Sequence, residues 1–267
     1  MSLAVEIKNL HKIYPKKTSL RNCLLGRTAG AGFQALGDVT FDIKEGEFFG
    51  LLGPNGAGKT TIISILAGLT KPSSGSVKIF NYDVQTDYKQ ARRCLGVVPQ
   101  ELVYDPFFSV VQTLRNQSGF FGLNKNEAWI EELLYKLNLT DKADANMRSL
   151  SGGMKRRVLV AQALVHKPPV IILDEPTAGV DIELRQNLWK FIKELNQKGH
   201  TILLTTHYLE EAQEMCDRIA FLRQGNLVAC DETSKLLKGL GVSSLEDAFL
   251  KFSQYEGFFD VSSIQGV

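Results

Sequence analysis

A glycine-rich octapeptide, GPNGAGKT, occupies residues 53–60 of this chain. A short apolar run at residues 47–52 precedes it, and apolar residues recur at helical spacing through residues 60–67. The octapeptide fits the pattern G-x-x-x-x-G-K-[ST], in which glycines let backbone N–H groups face a phosphate at the start of a helix. We prefer this interpretation to a glycine turn that only caps a helix, because a strand precedes the loop and a helix follows it. The pattern therefore predicts an α/β fold built around a phosphate-binding loop.

The loop also predicts its ligand. Lys59 is placed to reach the β- and γ-phosphate oxygens of a nucleoside triphosphate, and the Thr60 hydroxyl is a ligand for Mg²⁺. We expect the helix N-terminus to add positive potential at the same point. The sequence thus predicts a site for a nucleoside triphosphate with magnesium.

A second group of polar residues follows two apolar runs farther along the chain. Asp174 and Glu175 come after the run at 170–173, and His207 follows the strand pattern at 201–205. Because ligands of parallel sheets lie at the carboxyl ends of the strands, we expect these side chains beside the phosphate loop. Asp174 would then complete the magnesium shell, Glu175 would polarise the attacking water, and His207 would face the γ-phosphate. Taken alone, an acidic pair also caps turns, and a lone histidine is more often a surface or core residue.

The remaining patterns predict alternating strands and helices, and hence a mostly parallel sheet. Residues 101–147 lack strand alternation and include an amphipathic stretch at 127–137, which indicates a helical subdomain. The segment between Tyr14 and Ala35 is basic and glycine-rich, which is typical of a loop. Further elements are expected as strands at residues 4–10, 39–43 and 170–173 and helices at 157–165 and 183–195.

Composition narrows the class of protein. The net charge of +2 is too balanced to favour nucleic acid or a polybasic membrane contact, so no nucleic-acid partner is expected. No apolar run approaches the roughly 18 residues of a membrane span, and residues 1–14 alternate like a strand and not like a signal peptide. The cysteines form no pair with metal-ligand spacing and are expected to be reduced thiols; they are Cys23, Cys94, Cys216 and Cys230.

Six motifs together resemble an ABC-transporter ATPase subunit across roughly residues 3–235. They are GPNGAGKTT (53–61), Gln100 in GVVPQE, LSGGM (150–154), VIILDEP (170–176), AGVD (178–181) and His207 in LLTTHYLEEA. The resemblance implies a P-loop NTPase core with a mostly parallel central sheet, an N-terminal antiparallel β subdomain and an α-helical subdomain. It also implies ATP hydrolysis with Mg²⁺.

The resemblance assigns the individual site residues. ATP contacts fall on the whole loop, namely Gly53, Pro54, Asn55, Gly56, Ala57, Gly58, Lys59, Thr60 and Thr61. In this family two subunits pack head to tail, so Ser151, Gly152 and Gly153 would contact the ATP held by the partner. A helix N-terminus with exposed backbone N–H groups suits such a contact with phosphate charge.

Three further residues are assigned by the resemblance alone. Gln100 would join the magnesium and water shell, and its loop would move with the helical subdomain that docks on the membrane permease. Asp181 would help to connect the two ATP sites. Tyr14 would stack on adenine, for which a flat aromatic ring is suited, although a tyrosine at a strand end is more often a packing residue.

Several features are similar to the subfamily that drives ABC-2 type exporters, among them EPTAGVDIELRQNLW and SLEDAFL. The implied organisation is an ATPase domain at residues 1–237, with a helical subdomain at about 101–165, and a short tail at 238–267. The tail is expected to pack on its own domain, and the alternative is a contact with a dimer mate or another partner. The implied location is cytoplasmic, on the inner face of the membrane through permease subunits.

The predicted function is that of an ATPase subunit, as a homodimer or paired with a related subunit, that drives export through separate transmembrane permeases of the ABC-2 type. The alternative is a soluble ABC-type regulatory or interaction module that uses ATP-gated dimerisation without transport. A scaffold without turnover is a third candidate, which the presence of both Glu175 and His207 opposes.

Overall fold

The computed structural model describes residues 2–15, 32–177, 179–180, 182–254 and 258–259. The strands in these ranges are β1 (Leu3–Tyr14), β2 (Phe33–Lys44), β3 (Phe48–Leu52), β4 (Ser74–Ile79), β5 (Tyr82–Asp83), β6 (Leu95–Val98), β7 (Val170–Asp174), β8 (Thr201–Thr205), β9 (Arg218–Arg223) and β10 (Asn226–Glu232). The helices are α1 (Lys59–Leu66), α2 (Tyr88–Arg93), α3 (Val110–Phe120), α4 (Glu127–Lys136), α5 (Gly152–Leu164), α6 (Ile182–Gln197), α7 (Leu209–Met215), α8 (Thr233–Leu240) and α9 (Leu245–Gln254).

The central sheet has the strand order β10-β9-β3-β8-β7-β6. All neighbouring pairs are parallel except β10 with β9, which is antiparallel. Every residue of β3, β7 and β8 is buried, as expected for strands covered on both faces. The predicted mostly parallel sheet is therefore confirmed.

A second, antiparallel sheet has the order β2-β1-β4-β5. Ile7 of β1 lies opposite Phe41 of β2 on one side and Val77 of β4 on the other. These inward residues share one core with α1 and with one face of the central sheet, including Ile62, Phe49 and Leu203. The antiparallel β subdomain implied by the resemblance is present.

Helices α3, α4 and α5 form the helical part of the molecule. Their apolar faces meet through fully buried residues such as Leu114, Leu133 and Val160. The start of α3 is fixed by a capping box, in which the Ser109 hydroxyl accepts from the Gln112 backbone N–H and the Gln112 side chain accepts from Ser109 N–H. This part connects to the central sheet through the segment that follows β6 and through α5.

The register of the parallel strands brings the predicted polar residues to one edge. Val98 of β6 lies opposite Leu173 of β7, and Asp174 of β7 lies opposite Thr205 of β8. The chain therefore leaves β6, β7 and β8 at the same edge, where Gln100, Glu175 and His207 follow.

Some elements differ from the sequence prediction. Strand β2 begins at Phe33, so the connection expected to reach Ala35 ends earlier, and residues 16–31 lie outside the described part of the chain. Strands β6, β9 and β10 and helix α7 were not predicted individually. They are short elements that tertiary pairing stabilises more than local pattern does.

The apolar face of α9 packs against the chain's own core. The Phe252 ring lies 5.1 Å from the Phe221 ring of β9 and 5.5 Å from the Phe259 ring, centroid to centroid. The Leu245 backbone N–H also donates to the Gln213 side chain of α7 at 2.6 Å. Within the described ranges, no helix combines the length and apolarity that crossing a membrane requires.

Candidate active site

The phosphate loop, residues 53–60, connects β3 to α1, as the sequence predicts. Gly53 has a φ of 146°, and a Cβ at this position would lie 2.2 Å from the Leu222 carbonyl oxygen of β9. Gly58, at the start of α1, has a φ of 107°, and its Cβ would lie 2.7 Å from a Leu36 methyl carbon. Both positions therefore require glycine, because a side chain would push the loop away from the sheet.

Lys59 is held inside this loop. Its Nζ donates to the backbone oxygens of Gly53 at 2.6 Å and Pro54 at 3.2 Å. Burial lowers the pKa of Lys59, while the carboxylates of Glu175 and Asp174 act in the opposite direction. An incoming phosphate would be an anionic hydrogen-bond partner for this partly desolvated ammonium group.

Asp174 ends β7 as a buried carboxylate, with 8% of the residue exposed. Thr205 Oγ1, on the neighbouring strand, donates to Asp174 Oδ1. Burial raises the pKa of Asp174, and this hydrogen bond is the largest opposing influence. The buried carboxylate of Asp174 and the exposed hydroxyl of Thr60, in the first turn of α1, are both hard oxygen ligands of the kind that Mg²⁺ prefers, so the residues present fit this ion.

Glu175 lies at the centre of the polar cluster. Its Oε2 accepts from Gln100 Nε2 at 3.0 Å and lies 3.4 Å from Nδ1 of His207. Gln100 precedes Glu175 by 75 residues and His207 follows it by 32. The structure therefore brings together three side chains that are far apart in the sequence.

The backbone of Glu175 is in the left-handed region, with a φ of 51°. Its backbone N–H donates to the Thr205 carbonyl oxygen at 3.0 Å, which fixes the residue to the end of β8. A left-handed backbone is unfavourable for a glutamate and turns its side chain out of the strand direction of Asp174. Two adjacent carboxylates are thereby given different surroundings, one buried and one facing Gln100 and His207.

A network of hydrogen bonds and ring contacts next to His207 was not predicted from the sequence. The Glu211 carboxylate of α7 accepts from Thr177 at 3.1 Å and from Thr206 at 3.4 Å, so it joins the segments that follow β7 and β8. The Arg185 guanidinium lies 4.4 Å from the centroid of the Tyr208 ring, which in turn lies 4.1 Å from the His207 ring. The closely spaced acids at the start of α7 were the available signal, but their partners come from other elements.

LSGGM begins α5, as the sequence predicts. Ser151 is the N-cap, and its Oγ accepts from the Met154 backbone N–H at 3.2 Å. Ser151 and Gly152 are exposed and Gly153 is half-buried, so this helix N-terminus faces outward from the chain. Its backbone N–H groups are accessible to a negatively charged group from outside.

Arg156, about one turn farther along α5, makes a contact with the segment after β6 that was not predicted from the sequence. Its guanidinium donates to the backbone oxygens of Pro99 and Gln100. The signal in the sequence was the charged pair Arg156–Arg157 at the start of an otherwise apolar helical run, although the target of the first arginine depends on tertiary structure.

The remaining predicted residues are placed as follows. Tyr14 ends β1 with 37% of the residue exposed, and the Lys12 ammonium group lies 4.7 Å from its ring centroid. The residues Asn55, Gly56 and Thr60 are exposed on the phosphate loop, and Thr61 is half-buried in α1. Asp181 lies outside the described residues.

Comparisons with known proteins agree with this geometry. The family model described as "ABC transporter" matches residues 36–178, which is more than half of the 267-residue chain. A phosphate loop on a parallel sheet, a carboxylate pair at a strand end and an LSGGM helix define an ATP-hydrolysing P-loop domain. The chain belongs to the ABC transporter family, whose ATP-binding domain it contains, and the resemblance found in the sequence is confirmed.

Relatives and solved structures lead to the same family. The linearmycin resistance ATP-binding protein LnrL of Bacillus subtilis is 36% identical over 92% of this chain and 77% of its own length. The Nod factor export ATP-binding protein I of Burkholderia thailandensis is 45% identical over 72% of this chain, and the match spans 64% of that protein. An ATP-binding subunit of an ABC transporter superposes with a TM-score of 0.82 at 27% identity, covering 94% of this chain and all of that one. A dimeric ATP-binding cassette with bound ADP and phosphate superposes with a TM-score of 0.73 at 29% identity over 86% of this chain and 98% of that one.

Proposed function

We propose that this chain closes as a head-to-tail dimer around two MgATP and hydrolyses them to drive export through separate transmembrane subunits. The carrying observation is the position of Glu175, whose carboxylate contacts both Gln100 and His207 at the edge where the phosphate loop begins. A carboxylate held between an amide donor and an imidazole suits a base that takes a proton from an attacking water.

The residues around the carboxylate have separate roles in this proposal. Lys59 binds the β- and γ-phosphate oxygens, Gln100 orients the attacking water, and His207 lies against the γ-phosphate and steadies Glu175. Glu175 accepts the water proton as the water oxygen bonds to the γ-phosphorus and the bond to the ADP oxygen breaks. Thr60, Gln100 and Asp174 would hold Mg²⁺, which neutralises charge on the phosphates when bound.

The dimer follows from the second phosphate-binding element. Ser151, Gly152 and Gly153 present an outward-facing helix N-terminus, and we assign to them the γ-phosphate of the ATP bound by the partner subunit. The solved dimeric cassette with ADP and phosphate supports a pairing of this kind. Asp181 is proposed to connect the two sites, and Tyr14 to stack on adenine with its exposed ring. The partner is a second copy of this chain or a related ATPase subunit.

The direction of transport is proposed from relatives. Proteins similar to this chain are named for Nod factor export and for linearmycin resistance, and both names fit outward transport. We assign the membrane partners to the ABC-2 type of permease and place this chain on the cytoplasmic face of the membrane through them. Residues 1–237 would form the ATPase domain, with its helical subdomain at about 101–165, and residues 238–267 the tail.

The test is the mass of purified Glu175→Gln protein by light scattering, with and without MgATP. We expect ATP to double the mass, because binding is retained while hydrolysis no longer reopens the dimer. Adding Ser151→Arg should restore the monomer mass without changing nucleotide binding, since this residue serves the partner's site.

Two controls make the result specific. Lys59→Ala in the same background should stay monomeric at an ATP concentration that just saturates Glu175→Gln, because its ATP affinity is weaker, and ADP should not replace ATP. A protein that binds MgATP, remains monomeric and behaves identically with Ser151→Arg would refute the shared site.

A further inference from the structure

Helix α5 contacts the loop that carries Gln100 at two places. We call residues 99–104 the Gln100 loop. Arg156 donates to the backbone oxygens of Pro99 and Gln100 at one end of this loop. Lys155 donates from Nζ to the Tyr104 hydroxyl at 3.1 Å at the other end, with its ammonium group 4.4 Å from the ring centroid.

The surroundings of Arg156 show that this contact is specific. Only 4% of the residue is exposed, and burial lowers the pKa of its guanidinium although Asp174 and Glu175 favour its charge. Its Nε makes no hydrogen bond within the described residues. A buried guanidinium is unfavourable unless its donors are used, so the two loop carbonyls fix its orientation and it fixes theirs.

The contact continues into the active site. The backbone oxygen of Gln100 accepts from Arg156, and the side-chain Nε2 of the same residue donates to Glu175 at 3.0 Å. At the other end of the helix segment, Ser151 is the N-cap of α5. Arg156 lies five positions after Ser151, which corresponds to a rise of about 7.5 Å along one rigid element.

We propose that Arg156 is a positioning residue, which sets the Gln100 side chain against Glu175 and makes its position depend on helix α5. Lys155 and Tyr104 form the second contact of the same unit. The inference rests on the proposed roles of Gln100 and Ser151. When Ser151 engages the partner's nucleotide, α5 is ordered, and through Arg156 the Gln100 of the same chain is ordered in its own site.

The guanidinium is the suitable group for this role. Its planar fork donates to two neighbouring carbonyl oxygens at once, whereas a lysine ammonium group is a point charge on a flexible stem. Arg156→Lys should therefore keep the charge and lose part of the positioning. The adjacent Arg157 offers a matched control, because it is 6% exposed and donates to the backbone oxygens of Leu137 and Asn138, in the helical part.

The experiment measures kcat, KM for ATP and thermal stability for full-length Arg156→Met, Arg156→Lys and Arg157→Met. We expect Arg156→Met to lower kcat about tenfold or more with KM changed less than about twofold, because misplacement of a water-orienting group acts on the chemical step. Arg156→Lys should lie between Arg156→Met and the unaltered protein. Arg157→Met should lose thermal stability to a similar extent and keep kcat within about twofold. Equal losses of kcat in the two methionine variants would show a merely structural role and refute the inference.

A double-mutant cycle with Gln100→Ala shows whether Arg156 acts through Gln100. That variant removes the side chain and leaves the backbone oxygen that Arg156 binds. If Arg156 acts through Gln100, the tenfold effect of Arg156→Met should shrink to less than about twofold in the Gln100→Ala background. If the methionine variant does not fold, the same cycle is measured with Arg156→Lys.

The outcomes separate this inference from the proposed function. Suppose that Gln100→Ala lowers kcat and that the factors by which Arg156→Met and Gln100→Ala lower kcat simply multiply in the double variant. This result would overturn the role of Arg156 and leave the role of Gln100 intact. A Gln100→Ala protein with normal kcat would instead overturn the proposed role of Gln100, and the inference with it. Absence of ATP hydrolysis by the unaltered protein would contradict the proposed function before any variant is compared.

Discussion

Replacing Glu175 with glutamine tests the proposed base with little change in shape. The new side chain keeps an oxygen that can accept from Gln100 Nε2, which lies 3.0 Å from Glu175 Oε2. The same amide oxygen can also accept from Nδ1 of His207, which lies 3.4 Å from this position, in the tautomer that carries the proton on Nδ1. The cluster therefore has the partners to stay assembled, and the variant removes a negative charge and a proton acceptor.

The magnitude follows from the role that the geometry supports. General base catalysis contributes roughly 10²- to 10⁴-fold, so kcat should fall by that factor, equivalent to about 3–5 kcal/mol of activation free energy. Nucleotide binding should be retained. Burial raises the pKa of Asp174 and the Glu175 charge adds to the rise, so a neutral glutamine favours ionised Asp174, as a metal ligand must be.

The assay is phosphate release at saturating MgATP, with nucleotide affinity measured separately by titration of a fluorescent ATP analogue. Glu210→Gln is the matched control, because Glu210 is an exposed acid in the first turn of α7. It should leave kcat within about twofold, as expected for a surface change outside the site. A Glu175→Gln protein with normal turnover would show that the carboxylate is not the base and that Gln100 and His207 surround it for another reason.

Three more changes have definite outcomes. Lys59→Ala removes a charged phosphate contact worth about 1.5–3 kcal/mol and should weaken ATP affinity roughly ten- to hundredfold by fluorescence titration; unchanged affinity would place the phosphates elsewhere. Thr205→Val removes the donor that lowers the pKa of Asp174. Because Asp174 must be ionised to hold a metal, the acidic limb of the kcat/KM profile should move to higher pH, with Thr205→Ser unshifted. Phe252→Ala, at 2% exposure beside Phe221, should cost about 3–5 kcal/mol of unfolding free energy and lower Tm by roughly 6–20 °C in calorimetry, whereas a tail that contributes nothing would leave Tm unchanged.

Much of the candidate site could be read from local sequence because its chemistry depends on short stretches. The loop at residues 53–60 needs glycine at Gly53 and Gly58 for the backbone to pass close to β9 and β2, and this requirement is visible as a motif. The carboxylates of Asp174 and Glu175 follow an apolar run whose burial on both faces marks a central strand. Their convergence with His207 follows from the rule for parallel sheets.

The surroundings of these residues were not predictable in the same way. The sequence assigned Thr205 only to a strand. Its hydroxyl donates to Asp174 because the register of β7 and β8 places the two residues opposite each other. Arg156 was one of several basic residues after LSGGM, and only the packing of α5 against residues 99–104 gives it a partner. Glu211 likewise accepts hydrogen bonds from residues that precede it by 34 and 5 positions, in the segments after β7 and β8.

The sequence by itself determined the phosphate loop, the order of strands and helices around it and the choice of proposed reacting groups, because each depends on backbone conformation or side-chain chemistry within a few residues. Tertiary structure alone decided which carboxylate is buried, which one faces Gln100 and His207, and which arginine of α5 holds the Gln100 loop. Those properties depend on solvent exclusion and on hydrogen bonds between residues distant along the chain, and only the packing of α5 and the register of β6, β7 and β8 bring them together.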